Sequence, residues 1–317
     1  MIIRFGYVST AISLYDASPS KTITFKRYSQ LSDSDRLDKL KEITRTNINQ
    51  TLRMLYYNAA HQIELYRMSS SIVPLATHPE VRWDFVSPFR EEWQAIGDFV
   101  KKEKMRVSFH PNQFTLFTSP RGEVTANAVI DMEFHYKMLE AMGIEDTSYI
   151  NIHVGGAYGD KDLSLKRFHT NLKQLPHHIK AQMTLENDDK TYNTAETLAV
   201  CEQEQVPFVF DYHHHMANLC EESLSVLLPR IFSTWRHTSL CPKVHISSPK
   251  STNAFRAHSD YVDVDFILPF IKELKNYQID VDVMIEAKKK DQALLQLVDD
   301  LSKQRGIKRL SGASIQI

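Results

Sequence analysis

Pro207-Phe208-Val209-Phe210-Asp211-Tyr212-His213-His214-His215 reads as an apolar run of strand length that ends in a carboxylate, with three imidazoles directly after it. Burying an unpaired Asp at a strand end is costly unless it is hydrogen-bonded or coordinates a cation. Carboxylate and imidazole are also the side chains that suit zinc, manganese and iron. The same event recurs on both sides of this stretch. Strand-like runs over residues 105–109, 149–152, 183–185, 243–247 and 281–285 each end in, or contain, a side chain able to bind a metal: His110, His153, Glu186, His245 and Glu286.

Between these runs lie segments of helical period. Strand 3–9 precedes helix 33–60, strand 63–68 precedes helix 89–102, and strand 105–109 precedes helix 124–142. Helices at 163–179, 194–203, 221–234, 266–274 and 292–304 follow the remaining strands. Strand–helix alternation repeated eight times predicts an α/β protein of the (β/α)8 barrel (TIM barrel) type. No linker rich in Gly, Pro or Ser divides the chain, so residues 1–317 are expected to form a single domain. A doubly wound open sheet is the alternative, but the first strand lacks the glycine fingerprint of a dinucleotide site, and no nucleotide cofactor is expected.

The composition is that of a globular protein, 42% hydrophobic and 24% charged, with formal net charge −1. Any nucleic-acid contact must therefore come from a local basic surface. No apolar run is long enough to span a bilayer, and Met1-Ile2-Ile3-Arg4-Phe5-Gly6 reads as a strand, not as a secretory signal. Cys201, Cys220 and Cys241 are odd in number and far apart, which suggests reduced thiols and a cytoplasmic protein without a membrane partner.

In a barrel, the carboxyl ends of the strands converge on one face, where active sites of this fold lie. His110, His153, Glu186, Asp211, His245 and Glu286 would meet there, with His214 and His258 reaching in from loops. Taken singly, a His at a strand end is as readily a hydrogen-bonded packing residue. Repetition at one structural position favours a shared site. Eight such ligands exceed the need of one four-coordinate ion and suit two or three cations sharing carboxylates. Neighbours in an extended segment point opposite ways, so His213 and His215 weigh less than His214. His61, His78, His135, His169, His177, His178 and His237 fall in helices or outer loops and are expected at the surface.

Lys243 lies two residues before His245, so both side chains face the barrel interior. An ammonium beside several cations is unfavourable. The amine should be neutral, displaced or carbamylated to a bridging carboxylate; pairing with an acid at the pocket wall is the plainer alternative.

His110-Pro111-Asn112-Gln113, Asn151-Ile152-His153-Val154-Gly155-Gly156, Leu185-Glu186-Asn187-Asp188, Asp211-Tyr212-His213-His214, Lys243-Val244-His245-Ile246-Ser247 and Ile285-Glu286-Ala287-Lys288 resemble the motifs of the UV damage endonuclease family. Arg4-Phe5-Gly6-Tyr7 and Tyr66-Arg67-Met68-Ser69-Ser70 extend the resemblance over about residues 3 to 290. Apurinic endonuclease IV and sugar isomerases are wider relatives with the same barrel. The resemblance implies incision immediately 5′ to cyclobutane pyrimidine dimers and 6–4 photoproducts in damaged double-stranded DNA, leaving a 3′-hydroxyl and a 5′-phosphate. It implies divalent cations, Mn(2+) foremost, with Zn(2+), Mg(2+) or Co(2+) as alternatives. The implied ligands are His110, His153, Glu186, Asp211, His214, His245, His258 and Glu286, with Glu186, Asp211, Glu286, Lys243 and His245 at the reaction centre. Gln113 and Phe114 match the pair that probes the duplex opposite the lesion; Phe114 stands where the family often carries Tyr. Tyr7 matches an aromatic that contacts the damaged dinucleotide.

Arg67 and Lys288, with Lys289, Lys290, Lys250 and Arg256, are expected to meet phosphates. The protein is expected to act as a monomer. A xylose-isomerase-like isomerase or epimerase, and an abasic-site endonuclease, remain the competing readings.

Overall fold

The computed structural model describes residues 1–317, and its main sheet closes on itself. Strands β1 (Ile2–Val8), β2 (Leu65–Arg67), β3 (Arg106–Phe109), β4 (Tyr149–His153) and β5 (Met183–Glu186) lie side by side in chain order. They continue through β6 (Phe208–Asp211) and β7 (Lys243–Ile246). A hairpin of β8 (Pro249–Ser251) and β9 (Ala254–His258) then stands apart as its own two-stranded sheet. The eighth barrel strand, β10 (Val281–Ile285), pairs in parallel with both β7 and β1, with Ile3 opposite Val281 and Tyr7 opposite Ile285. The chain is thus a (β/α)8 barrel, as the alternation predicts.

Local sequence fixes the helices. Helix Asp33–Ala60 starts where Ser32 accepts a hydrogen bond from the Asp35 amide, with Asp33 and Asp35 in the positive first turn. Asn193 and Glu196 form a capping box for helix Thr194–Glu204. Helices Arg90–Lys102 and Gly122–Met142 approach closely because Gly97 lacks a Cβ; one there would lie 1.7 Å from the Met142 carbonyl oxygen. No helix is long and apolar enough to cross a membrane.

Three segments differ from the sequence expectation. The helix expected over 163–179 is broken into Lys161–Leu172 and His177–Lys180, because Pro176 has no amide hydrogen and would clash with the carbonyl of Leu172. The segment expected as a long loop after β7 forms the β8–β9 hairpin. Beyond residue 304 the chain adds β11 (Lys308–Arg309) and β12 (Ser314–Gln316), and β12 pairs antiparallel with β1.

The core is mostly apolar, with buried charged groups at the strands' carboxyl ends and a second set at the amino-terminal end of the barrel. There Asp282, fully buried on β10, accepts from Arg4 Nε at 2.7 Å, Arg4 Nη2 at 2.9 Å and Arg106 Nη1 at 2.8 Å. These three residues tie β1, β3 and β10 across the interior at the end away from the strands' carboxyl termini.

Candidate metal centre

Parallel register sets the ligands side by side. His153 lies opposite Glu186 between β4 and β5, and Asp211 lies opposite His245 between β6 and β7. Seven of the expected ligands form three groups able to hold a metal ion: His110, His153 and Glu186; Glu186, Asp211 and His214; Glu186, His245 and Glu286. Glu186, 1% exposed, belongs to all three. His258 lies outside these groups, on the wall of the same groove.

The hydrogen-bonding state of these side chains fits a metal. Glu186 Oε1, Asp211 Oδ2, His153 Nδ1 and both ring nitrogens of His245 are buried without a hydrogen-bond partner. His245 Nδ1 nevertheless lies only 3.1 Å from Glu186 Oε2. Buried polar atoms are almost always satisfied, so several orphans facing one another mark a place where a cation completes the set. The imidazoles add a second sign. Nδ1 of His110, His214 and His258 lies 3.0, 3.0 and 2.8 Å from the carbonyls of Pro111, Asn187 and Glu286. Donation from Nδ1 fixes each ring and leaves Nε2 for a ligand, the pattern common to metal-binding histidines.

Electrostatics point the same way. Burial lowers His245 to about 4 and also lowers His153. Burial would lower His214 too, but Asp211, Glu186 and Glu286 override it and hold the imidazolium up to about 11. Burial raises Asp211 to about 7; His214 opposes this, and Glu186 and Glu286 reinforce it. At neutral pH the metal-free centre therefore carries a proton on His214 and a partly protonated Asp211, both of which a cation must expel. We expect release of about one to two protons per chain when Mn(2+) binds at pH 7, and apparent affinity that rises with pH. Calorimetry in buffers of different ionisation enthalpy reads this directly; binding with no proton released contradicts it.

Asp211 caps the short helix Tyr212–Ala217, its Oδ1 accepting from the His214 amide at 2.7 Å. The histidine run is therefore helical, not extended, and successive rings diverge by a third of a turn. His214 faces Glu186. His213 and His215 are buried on other sides, His213 between Ser247 and the Phe255 carbonyl and His215 against Thr194. Burial lowers His213 to about 4, so it is a neutral ring. His135, expected at the surface, is also buried, its Nδ1 donating to the Asp131 carbonyl at 2.7 Å.

Other expectations change on inspection of the side chains. Lys243 Nζ donates to Ser108 Oγ at 2.7 Å and forms no ion pair with an acid at the pocket wall. Burial, aided by Arg106 and Arg67, lowers its amine to about 7. Arg67, expected at a phosphate, is turned toward the centre, its Nη1 donating to Glu286 Oε1. Tyr7, expected to touch the lesion, is fully buried with its hydroxyl 2.7 Å from Asn58 Oδ1. The ring packs against Tyr66 beneath the groove and offers no surface to DNA.

Lys288, Lys250 and Arg256 are exposed as expected. Gln113 is exposed and Phe114 is 70% exposed, projecting from a turn in which Asn112 Oδ1 accepts from the Phe114 amide at 2.8 Å. Gln113 borders a groove of about 470 Å3 that also takes in His110, His153, His214 and His258, and Phe114 beside it lines an adjoining hollow with Asn112 and Thr115. Two asparagines that the sequence reading left without a role hold the centre. Asn151 Nδ2 donates to Glu186 Oε2 at 2.5 Å, and Asn187 holds the Asp211 main chain, its Nδ2 donating to the Asp211 carbonyl at 2.9 Å and its Oδ1 accepting from the Asp211 amide at 2.8 Å. Their position beside ligands in the quoted motifs was the available signal.

The sequence profile of the UV-endonuclease UvdE family matches residues 3–317. This chain belongs to that family. It is 60% identical over 316 residues to a UV DNA damage endonuclease of Bacillus cereus (strain B4264), and 60% identical to one of Bacillus thuringiensis subsp. konkukian, covering all of both partners in each case. Among solved structures, SacUVDE superposes with a TM-score of 0.84 at 31% identity, over 95% of this chain and 98% of that one. A xylose isomerase domain protein from Planctomyces limnophilus superposes at 0.51 with 15% identity, over 78% and 91% of the two chains, a likeness of the barrel alone. Family membership makes the chain an endonuclease, a hydrolase acting on DNA.

Proposed function

We propose that residues 1–317 act as one domain and as a monomer in the cytoplasm, incising damaged double-stranded DNA immediately 5′ to UV photoproducts. Cyclobutane pyrimidine dimers and 6–4 photoproducts are the substrates, and the products carry a 3′-hydroxyl and a 5′-phosphate. The observation that carries this reading is Glu186, a buried carboxylate common to three ligand groups whose histidines line a groove bordered by exposed Gln113, with exposed Phe114 next in sequence. Two or three divalent cations, Mn(2+) foremost, are its cofactors, with Zn(2+), Mg(2+) or Co(2+) as substitutes and no nucleotide.

Bound cations supply an acidified water and neutralise charge on the phosphate. The chain's own groups do the rest. His110, His153, His214, His245 and His258 would hold ions through neutral imidazole, and Glu186, Asp211 and Glu286 would fix them and lower the net charge of the site. Asn151 keeps the Glu186 carboxylate aimed inward, and Asn187 fixes the main chain that carries Asp211. Arg67 screens Glu286. Exposed Lys288, with Lys250 and Arg256, meets the backbone of the duplex.

A photoproduct weakens stacking and pairing, so extruding it from the helix costs less than extruding normal bases. Phe114 can stack in the space left behind while Gln113 hydrogen-bonds to the unpaired partner bases. Base–aromatic stacking is worth about 1–3 kcal/mol. Replacing Gln113 and Phe114 together by Ala should then lower incision of irradiated DNA by about tenfold to a hundredfold with metal content unchanged. Equal incision by the double variant removes the pair from recognition.

Nicking of supercoiled plasmid tests the whole reading. Relaxation of irradiated but not untreated plasmid, dependent on added Mn(2+), is the expected result. Relaxation of depurinated plasmid alone would assign the abasic-site activity instead.

A further inference from the structure

Of the three consecutive histidines, the middle one of the trio, His214, is accounted for by the metal centre; His213 is not. It is fully buried, and both ring nitrogens are occupied: Nδ1 lies 2.6 Å from Ser247 Oγ and Nε2 lies 2.6 Å from the Phe255 carbonyl. A carbonyl can only accept, so Nε2 carries the proton and Nδ1 accepts from the serine hydroxyl. With no lone pair left over, the ring cannot ligate a metal or act as a base in this arrangement.

Its two partners belong to different parts of the chain. Ser247 follows barrel strand β7, and Phe255 sits in β9 of the hairpin. That hairpin has one other side-chain hydrogen bond to the barrel, from the His258 ring at its end, whose Nδ1 lies 2.8 Å from the Glu286 carbonyl. Its strands pair only with each other, and Lys250, Ser251, Arg256 and Ala257 are exposed. The main chain from Pro249 to Ala257 receives no other hydrogen bond from the rest of the protein. An isolated two-stranded hairpin is marginal in water, so the buried attachment through His213, the only one to its main chain, has large leverage on where it stands. The residues that follow Phe255 are Arg256 and His258, and both line the groove.

We propose that His213 is a positioning residue: it docks the β8–β9 hairpin onto the barrel and so sets Arg256 and His258 at the groove, as an arm laid along the DNA backbone. The assignment of the arm to DNA rests on the function proposed above; the docking does not. Phe255 and Phe266 pack against the ring, with centroids at 5.6 and 5.8 Å, and exclude water from the two hydrogen bonds.

Hydrogen exchange of the whole protein, without DNA or added metal, isolates the docking. In His213→Ala, amides of residues 249–258 should exchange about tenfold faster or more, with barrel strands unchanged. His213→Gln, which can accept from Ser247 and donate to Phe255, should restore protection. Ser247→Ala, which keeps the ring and removes one anchor, should shift exchange the same way by less. Hairpin exchange equal to wild type in His213→Ala overturns the proposal, as does a Gln variant as unprotected as Ala.

The DNA role is read separately. In His213→Ala the salt slope of binding to damaged DNA should fall by about one, as one phosphate contact is lost, and KM should rise more than kcat falls. Loss confined to kcat with an unchanged salt slope would overturn the backbone-arm assignment. If irradiated plasmid is never nicked by wild type, the function fails while the exchange result still decides the docking.

Discussion

Glu186→Gln should lower incision of irradiated DNA by about a thousandfold or more, equivalent to about 4 kcal/mol of lost transition-state stabilisation at 1.36 kcal/mol per tenfold. The amide is nearly isosteric and can still interact with Asn151, so packing around it survives. What it loses is the charge that three ligand groups share. Removing an acid from one group would disturb one ion, whereas this change disturbs every group at once. Two measurements separate this from simple unfolding. The metal-free variant should still fold but melt somewhat below wild type: against the cost of burial, His245, His153, His110 and His214 hold the Glu186 carboxyl well below the usual carboxylate range, and the amide forfeits that attraction. Mn(2+) at about a hundred times its Kd should stabilise wild type by about 2.7 kcal/mol and the variant by far less. A variant that keeps both its metal-dependent stabilisation and its incision would place the chemistry elsewhere.

Much of this centre was legible because its ligands sit at strand ends. Strand position is set by apolar runs, and the side chain that follows each run is read directly from the sequence. The barrel followed from alternation for the same reason, and β10 falls on the residues the pattern indicates. What escaped depended on partners distant in sequence. Whether Arg67 faces phosphate or Glu286 depends on a carboxylate 219 residues away, and neither periodicity nor composition carries that pairing. Tyr7 is polar at its tip and could stand at a surface; only Asn58, from a helix packed outside β1, shows where the hydroxyl goes. The histidine run misled for a local reason. Asp211 is both ligand and helix cap, so the chain turns helical one residue earlier than an extended reading allows. The β8–β9 hairpin lacks alternating apolar residues because it has no core to face, and its pattern was therefore that of a loop.

The network at the other end of the barrel should matter to stability instead of turnover. Asp282→Asn is expected to destabilise the metal-free protein by about 3–5 kcal/mol, the range for breaking a buried ion pair and leaving its partners uncompensated. Arg106 is the reason for the size. It is buried, its Nη2 already lacks a partner, and without the Asp282 charge its Nη1 would retain the Cys241 carbonyl at 2.8 Å while the guanidinium lies 4.9 Å from the Trp235 ring centroid. The exposed pair of Arg230 with Glu202 provides the contrast: Glu202→Ala should cost no more than about 1 kcal/mol, since water screens both groups. Urea unfolding of both variants at pH 7 measures the difference, and a loss below 1 kcal/mol for Asp282→Asn would show that the network does not hold the barrel seam. Four residues along β10 separate Asp282 from Glu286, about 13 Å at 3.3 Å per residue. At that distance, and with the groove built entirely from strand ends and loops on the opposite face, the folded fraction of Asp282→Asn should incise DNA within about twofold of wild type. A barrel that loses stability at its base while keeping its rate at the rim is what separate packing of the two ends requires.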